Sequence, residues 1–203
     1  MLSGIYTYLD KKVSGIVQTD ELLRAEWVAR VSAMDLYFHE LIAQCISEVF
    51  VGSRPTTAAF EKFQISSVIM QRIRRAANPT EASAAFDLYV REQLGRVTYQ
   101  LPDDIADGIR LVSAVELWNE VALALGASPA NKSKEAKDLK LKHSLIMRRR
   151  NAIAHEGDLM LSSLREPSPI SSDDVVEAAK HIEQIVRTID GLICKPRSHF
   201  INI

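Results

Sequence analysis

The stretch Asp20-Glu-Leu-Leu-Arg-Ala-Glu-Trp-Val-Ala-Arg-Val-Ser-Ala-Met-Asp-Leu-Tyr-Phe-His-Glu-Leu-Ile-Ala-Gln-Cys-Ile-Ser-Glu-Val-Phe50 decides the fold class. Trp27, Val31, Met34, Phe38, Leu41, Cys45 and Val49 recur at three- and four-residue steps. That spacing forms one apolar stripe along an α-helix, and it shows none of the alternation of a strand. The helix is expected from about Thr19 to Phe50, with Thr19 and Asp20 as candidate N-caps.

The same periodicity extends outward in both directions. Upstream, residues 1–18 read as a short helix or strap. Downstream, glycine and proline cluster into breaks at Gly52-Ser53-Arg54-Pro55, Asn78-Pro79, Leu101-Pro102, Gly126 to Pro129, Glu156-Gly157-Asp158 and Pro167-Ser168-Pro169. The intervals carry helical periodicity. Helices are expected over Thr57–Ala77, over Thr80–Tyr99 and over Asp103–Leu125. A further helix runs from Ser133 to His155, with Gly157 as its stop. The last starts near Ser172 or Asp173 and ends near Cys194, with Val176, Ala179, Ile182, Ile185, Val186 and Ile189 facing the core. Residues 195–203 read as a loose tail. Five to six such helices on short turns imply an all-α, antiparallel helical bundle over residues 19–194.

The bulk numbers exclude several classes. The chain has 203 residues, 47% hydrophobic and 25% charged, with a formal net charge of -1. That is enough to bury a core, and any nucleic-acid surface must be local. Cys45 and Cys194 lie in apolar runs without metal-ligand spacing, so they read as free buried thiols. Glu116 and Glu120 lack the Glu-x-x-His partner of a di-iron bundle. No resident metal or cofactor is expected. The N-terminus lacks the form of a signal peptide, and no uncharged stretch reaches the ~18 residues of a membrane span. A soluble, cytoplasmic protein without a membrane partner is expected.

The helix before Gly157 differs from the others in charge. Lys132, Lys134, Lys137, Lys140, Lys142, Arg148, Arg149 and Arg150 are opposed only by Glu135 and Asp138. A stripe of this kind suits phosphate, although lysines alone fit a solvated face equally well. Leu139, Ile146 and Ile153 form one apolar line, and Leu141, Leu145 and Ala152 an adjacent one. Arg149 projects between those lines and Arg150 beside the first. An arginine there is costly unless it is paired or faces a cleft. Asn151 and His155 lie four apart on one edge of the polar face. Arg150 and His155 stand about 140° apart on an ideal wheel, so the helix alone does not assemble a site.

Arg150-Asn-Ala-Ile-Ala-His155 resembles the motif of HEPN proteins, an arginine followed four to six residues later by a histidine. Arg30-Val-Ser-Ala-Met-Asp-Leu-Tyr-Phe-His-Glu40, and the stretch from Ile170 to Asp190, resemble the RiboL-PSP-associated HEPN branch. The likeness covers roughly Glu21 to Leu192. It implies a helical bundle that pairs as a homodimer and cuts RNA without metal at a composite site, as in toxins or phage defence. Arg150 would clamp the phosphate, His155 would act in proton transfer or phosphate binding, and Asn151 would orient one of them. Asp35 and His39 would be supporting partners. Lys137, Lys140, Arg148 and Arg149 would hold RNA, and an antitoxin or other defence-system partner is a common companion. A HEPN module without catalysis, binding nucleic acid, a nucleotide or a protein, is the alternative. A purely structural dimerisation domain leaves the basic run unexplained.

Overall fold

The computed structural model describes residues 2–13, 19–160 and 166–194. The described residues form eight α-helices, one 3-10 turn and no strand. They are α1 (Leu2–Val13), α2 (Asp20–Phe50), α3 (Ser67–Arg74), α4 (Pro79–Leu94), α5 (Pro102–Arg110), α6 (Leu117–Ala124), α7 (Lys132–Glu156) and α8 (Ser172–Ile193), with the 3-10 turn at Phe60–Lys62. None of these helices is long and apolar enough to cross a membrane. The tail at 195–203 lies outside the described residues.

The long helix α2 is the axis of the bundle. Its stripe residues Val31, Met34, Phe38, Leu41, Cys45 and Val49 are all buried. The facing residues include Phe86 and Val90 of α4, Ile146 and Met147 of α7, and Ile182, Ile185 and Ile189 of α8. Named contacts fix the directions. Ser47 bonds Asp87 and Glu40 pairs with Arg91, so α4 runs antiparallel to α2. Trp27 donates to the Ile146 carbonyl, and Tyr37 donates to Asp190. With Leu23 packed beside Val175, α8 runs parallel to α2, and with Arg24 bonded to Asp158 just past the end of α7, α7 runs antiparallel. In α1, Tyr6 packs against the Leu23, Ile170 and Val175 cluster.

Helix starts follow the local chemistry. Asn78 caps α4 ahead of Pro79, and Ser171 with Asp174 forms a reciprocal capping box on α8. Thr19 makes no side-chain cap for α2, and its hydroxyl lies 3.4 Å from Asp10 Oδ1 instead.

Two expected helices are divided. The Asp103–Leu125 interval becomes α5 and α6, because the Thr57 hydroxyl reaches the Arg110 and Leu111 carbonyls at 2.8 and 3.1 Å. Those acceptors no longer need a further helical turn. The chain folds back, and the Trp118 indole donates to the Pro102 carbonyl at 2.8 Å. The Thr57–Ala77 interval likewise breaks after the 3-10 turn, where Phe60 and Phe63 both pack against the core. On α8 the buried line is Val175, Ala178, His181, Ile182, Ile185 and Ile189, while Val176 is exposed and Ala179 half-buried. Polar His181 hides this line from a purely apolar reading. Cys45 is buried as expected, whereas Cys194 is exposed at the end of α8.

Gly108 sits where α5 meets α2. A Cβ there would stand 2.5 Å from both Ile42 Cδ1 and Tyr99 Cε1. Gly108→Val is expected to destabilise by about 1–3 kcal/mol through overpacking. Thermal unfolding reads this directly, and an unchanged melting temperature would contradict the packing described.

Candidate functional site

The end of α7 is held by a carboxylate that two arginines share. Gly157 and Asp158 both adopt left-handed backbone, at φ 65° and 56°. Their amides converge on the Ala152 carbonyl. Aspartate tolerates this conformation better than most residues. The turn drives Asp158 inward, where it is 1% exposed. Arg24 Nε and Arg149 Nη2 both donate to Asp158 Oδ2, at 3.2 and 2.6 Å. Both guanidiniums also donate to the Ser168 carbonyl, and Arg149 reaches the Pro169 carbonyl as well. Arg149, expected to hold RNA, is therefore committed to joining α2, α7 and the approach to α8.

The next residue differs. Arg150 is half-buried, its Nε is buried, and its side chain has no hydrogen bond or ion pair among the described residues. It lies on the inward side of α7, in line with Leu139, His143 and Ile146. Asn151 and His155 are exposed on the opposite side. One chain thus presents the two ends of the motif in different directions. The line of Leu141 and Leu145 does not enter the core, and these residues are 58% and 52% exposed. The inward face continues on the other flank instead, through Ala136, His143 and Met147.

The lysines separate from the motif. Lys137 and Lys140 lie in the first half of α7, beside a cleft of about 700 Å³ lined also by Lys62, Arg110 and Trp118. Lys140 pairs with Asp103 at 2.6 Å, while Lys137 has no partner among the described residues. Arg148 is exposed.

Asp35 and His39 do not reach the motif. Eleven residues separate Asp35 from Arg24, about 16 Å along α2. Asp35 instead accepts from the Tyr99 amide and from Gln100 Nε2, both at 2.7 Å, with His39 Nε2 at 3.5 Å. The His39 ring packs edge-on to Tyr99. These residues brace the turn between α4 and α5.

That turn leads to a pair of buried histidines that periodicity did not single out. His143 Nε2 donates to the Gln100 carbonyl at 2.8 Å, which leaves Nδ1 buried without a partner. His181 lies 5.6 Å away between ring centroids, with its Nε2 also buried and unpartnered. The signal available in the sequence was position. His143 falls between Leu139 and Ile146, and His181 precedes Ile182 within the α8 stripe.

Comparison of the chain with family models, with curated proteins and with solved structures gives no match. The site therefore rests on its own geometry.

Two measurements follow. Removing the shared carboxylate by Asp158→Ala leaves Arg24, itself buried, with only the exposed Glu21 as a counter-charge. Loss of one partner from such a cluster costs about 3–5 kcal/mol, and a denaturant midpoint that does not move would contradict it. The histidines set an acid limit. Burial lowers the His143 pKa, against the opposing Gln100 hydrogen bond. Burial, then the charges of His143 and Lys142, lowers His181 to about 4. Both stay neutral in the folded chain at pH values where the unfolded chain takes up protons. Stability is therefore complete above an ordinary histidine pKa of about 6.5 and falls as the pH drops from there toward about 4. A His181→Gln variant should show a shallower loss over that window in pH-resolved unfolding.

Proposed function

We propose that the chain is a metal-independent endoribonuclease of the HEPN type, in which Arg150 holds the scissile phosphate and His155 moves a proton. The observation that carries this reading is the contrast between neighbouring arginines. Arg149 is bound by three acceptors, whereas half-buried Arg150 has none among the described residues. An arginine held without a carboxylate suits a phosphate, which it can grip in bidentate fashion.

The reaction uses a nucleophile already in RNA. The 2′-oxygen attacks phosphorus, the P–O5′ bond breaks, and the products are a 2′,3′-cyclic phosphate and a 5′-hydroxyl. A proton leaves the 2′-hydroxyl and one is delivered to the departing 5′-oxygen. Histidine titrates near neutrality and can serve either transfer. Arg150 would offset the charge that builds on the phosphorane. Asn151, one turn before exposed His155, is placed to orient the phosphate or the ring. Neither role calls for a metal.

The divergence of Arg150 and His155 on one helix favours a site completed by a second copy of the chain. Exposed Leu141 and Leu145, with half-buried Ala152, give α7 an outward apolar strip for such pairing. The same divergence favours, as a second reading, a HEPN module that binds nucleic acid without cutting it.

Purified protein incubated with mixed RNA in EDTA tests the proposal. The wild type is expected to leave cyclic phosphate ends, and His155→Ala to slow cleavage by about 10²–10⁴-fold. Arg150→Ala should also fail to cut while retaining the wild-type helical signal. Bound but intact RNA with folded wild type would select the second reading.

A further inference from the structure

We propose that the cleft between residues 57–62, α5, α6 and the first half of α7 is a phosphate-anchoring site for single-stranded RNA, separate from Arg150 and His155. The choice of RNA rests on the function proposed above. The anchoring site itself rests on charge and shape.

Three separate elements bring cations to this cleft. Lys62 comes from the 3-10 turn, Arg110 from the end of α5, and Lys137 and Lys140 from α7. Glu116 is the single acid among the described lining residues, and Asn119 donates to it at 2.7 Å. Lys62 and Lys137 are exposed and have no partner among the described residues. Arg110 and Lys140 pair with exposed Asp107 and Asp103. Ion pairs of this exposed kind contribute little, so a phosphate can replace the carboxylate at small cost. The volume of about 700 Å³ accommodates a nucleotide. With Arg110 and Lys140 offset by Asp107 and Asp103, the free positive charge at the cleft is that of Lys62 and Lys137.

A polymer fits better than a free phosphate. The cations come from three elements, and Lys62, Arg110 and Lys137 are exposed, so none is sunk into a closed phosphate pocket. A polar face with Arg148 on it also continues beyond the cleft. Lys137, Ser144, Arg148, Asn151 and His155 recur at helical steps along one face of α7. Glu135 and Asp138 project about 160° and 100° away from Lys137 on the wheel. The face between cleft and motif on α7 therefore carries no acid. Eighteen residues separate Lys137 from His155, about 27 Å of helix. A strand stacked at about 3.4 Å per nucleotide covers that length with roughly eight nucleotides. The cleft thus fixes the strand one end of α7 away from the bond to be cut.

The test uses the full chain and a labelled 12-nucleotide RNA, with Lys62→Gln and Lys137→Gln combined. Both side chains are exposed and unpartnered, so the variant should melt with the wild type. Binding is read by anisotropy across a salt series. The variant is expected to bind about tenfold more weakly, with the slope of log affinity against log salt shallower by about 1.4 for two lost contacts. In cleavage, KM should rise by a similar factor while kcat is retained. Unchanged affinity and slope would overturn the anchoring site and leave the nuclease reading intact. The expected slope change with RNA that stays uncut would support the site and remove the nuclease reading. Uridine monophosphate is the competitor arm. Micromolar displacement of the 12-mer, abolished by the double substitution, would overturn the strand in favour of a free nucleotide.

Discussion

Asp158 is the point on which the candidate site depends. Its single carboxylate oxygen accepts from Arg24 on α2 and from Arg149 on α7, and the same guanidiniums reach the carbonyls that lead into α8. Three segments are joined there around a carboxylate that is almost fully buried. A low local dielectric strengthens such contacts and makes the loss of any member costly. The arrangement also determines what the neighbouring residues are free to do. With Arg149 committed inward, Arg150 is left on the adjacent side of the helix without a counter-charge, and His155 is left exposed in the last turn.

The second organising feature is polar and lies about three turns further along the same side of α2. Asp35 holds the Tyr99–Gln100 turn, the Gln100 carbonyl accepts from His143, and His143 faces His181. This chain of contacts runs from α2 through the α4–α5 connection into α7 and α8. It explains why Asp35 and His39, quoted above for their likeness to a family segment, serve the scaffold here. It also places two imidazoles where only their neutral form is comfortable, which ties the packing of α7 on α8 to pH.

Much of the architecture was legible in the sequence, because it depends on local rules. The α2 stripe, the Asn78-Pro79 start of α4, and the Gly157 stop of α7 each follow from spacing or cap chemistry. What could not be read depended on distant partners. The break after Arg110 is made by Thr57, and the inward pull on Arg149 by a carboxylate nine residues later in a left-handed turn. The burial of His143 defeats any reading that equates the core with apolar residues. The two lines of leucine and isoleucine on α7 looked equivalent, and only packing shows that Leu141 and Leu145 remain outside. The separation of Lys137 and Lys140 from the motif was likewise a matter of length along the helix, which a charge count ignores.

The Thr57 hydroxyl has a consequence for the wall of the basic cleft. It bonds the last carbonyls of α5 and also accepts the Phe60 amide at 3.0 Å. One side chain thereby closes the end of a helix and fixes the 3-10 turn that carries Lys62. The turn and the end of α5 are tied to each other through one hydroxyl, beside the backbone bonds that the turn makes for itself. One wall of the basic cleft is therefore fastened to the terminus of α5 by a threonine side chain and to the α2 core by Phe60 and Phe63.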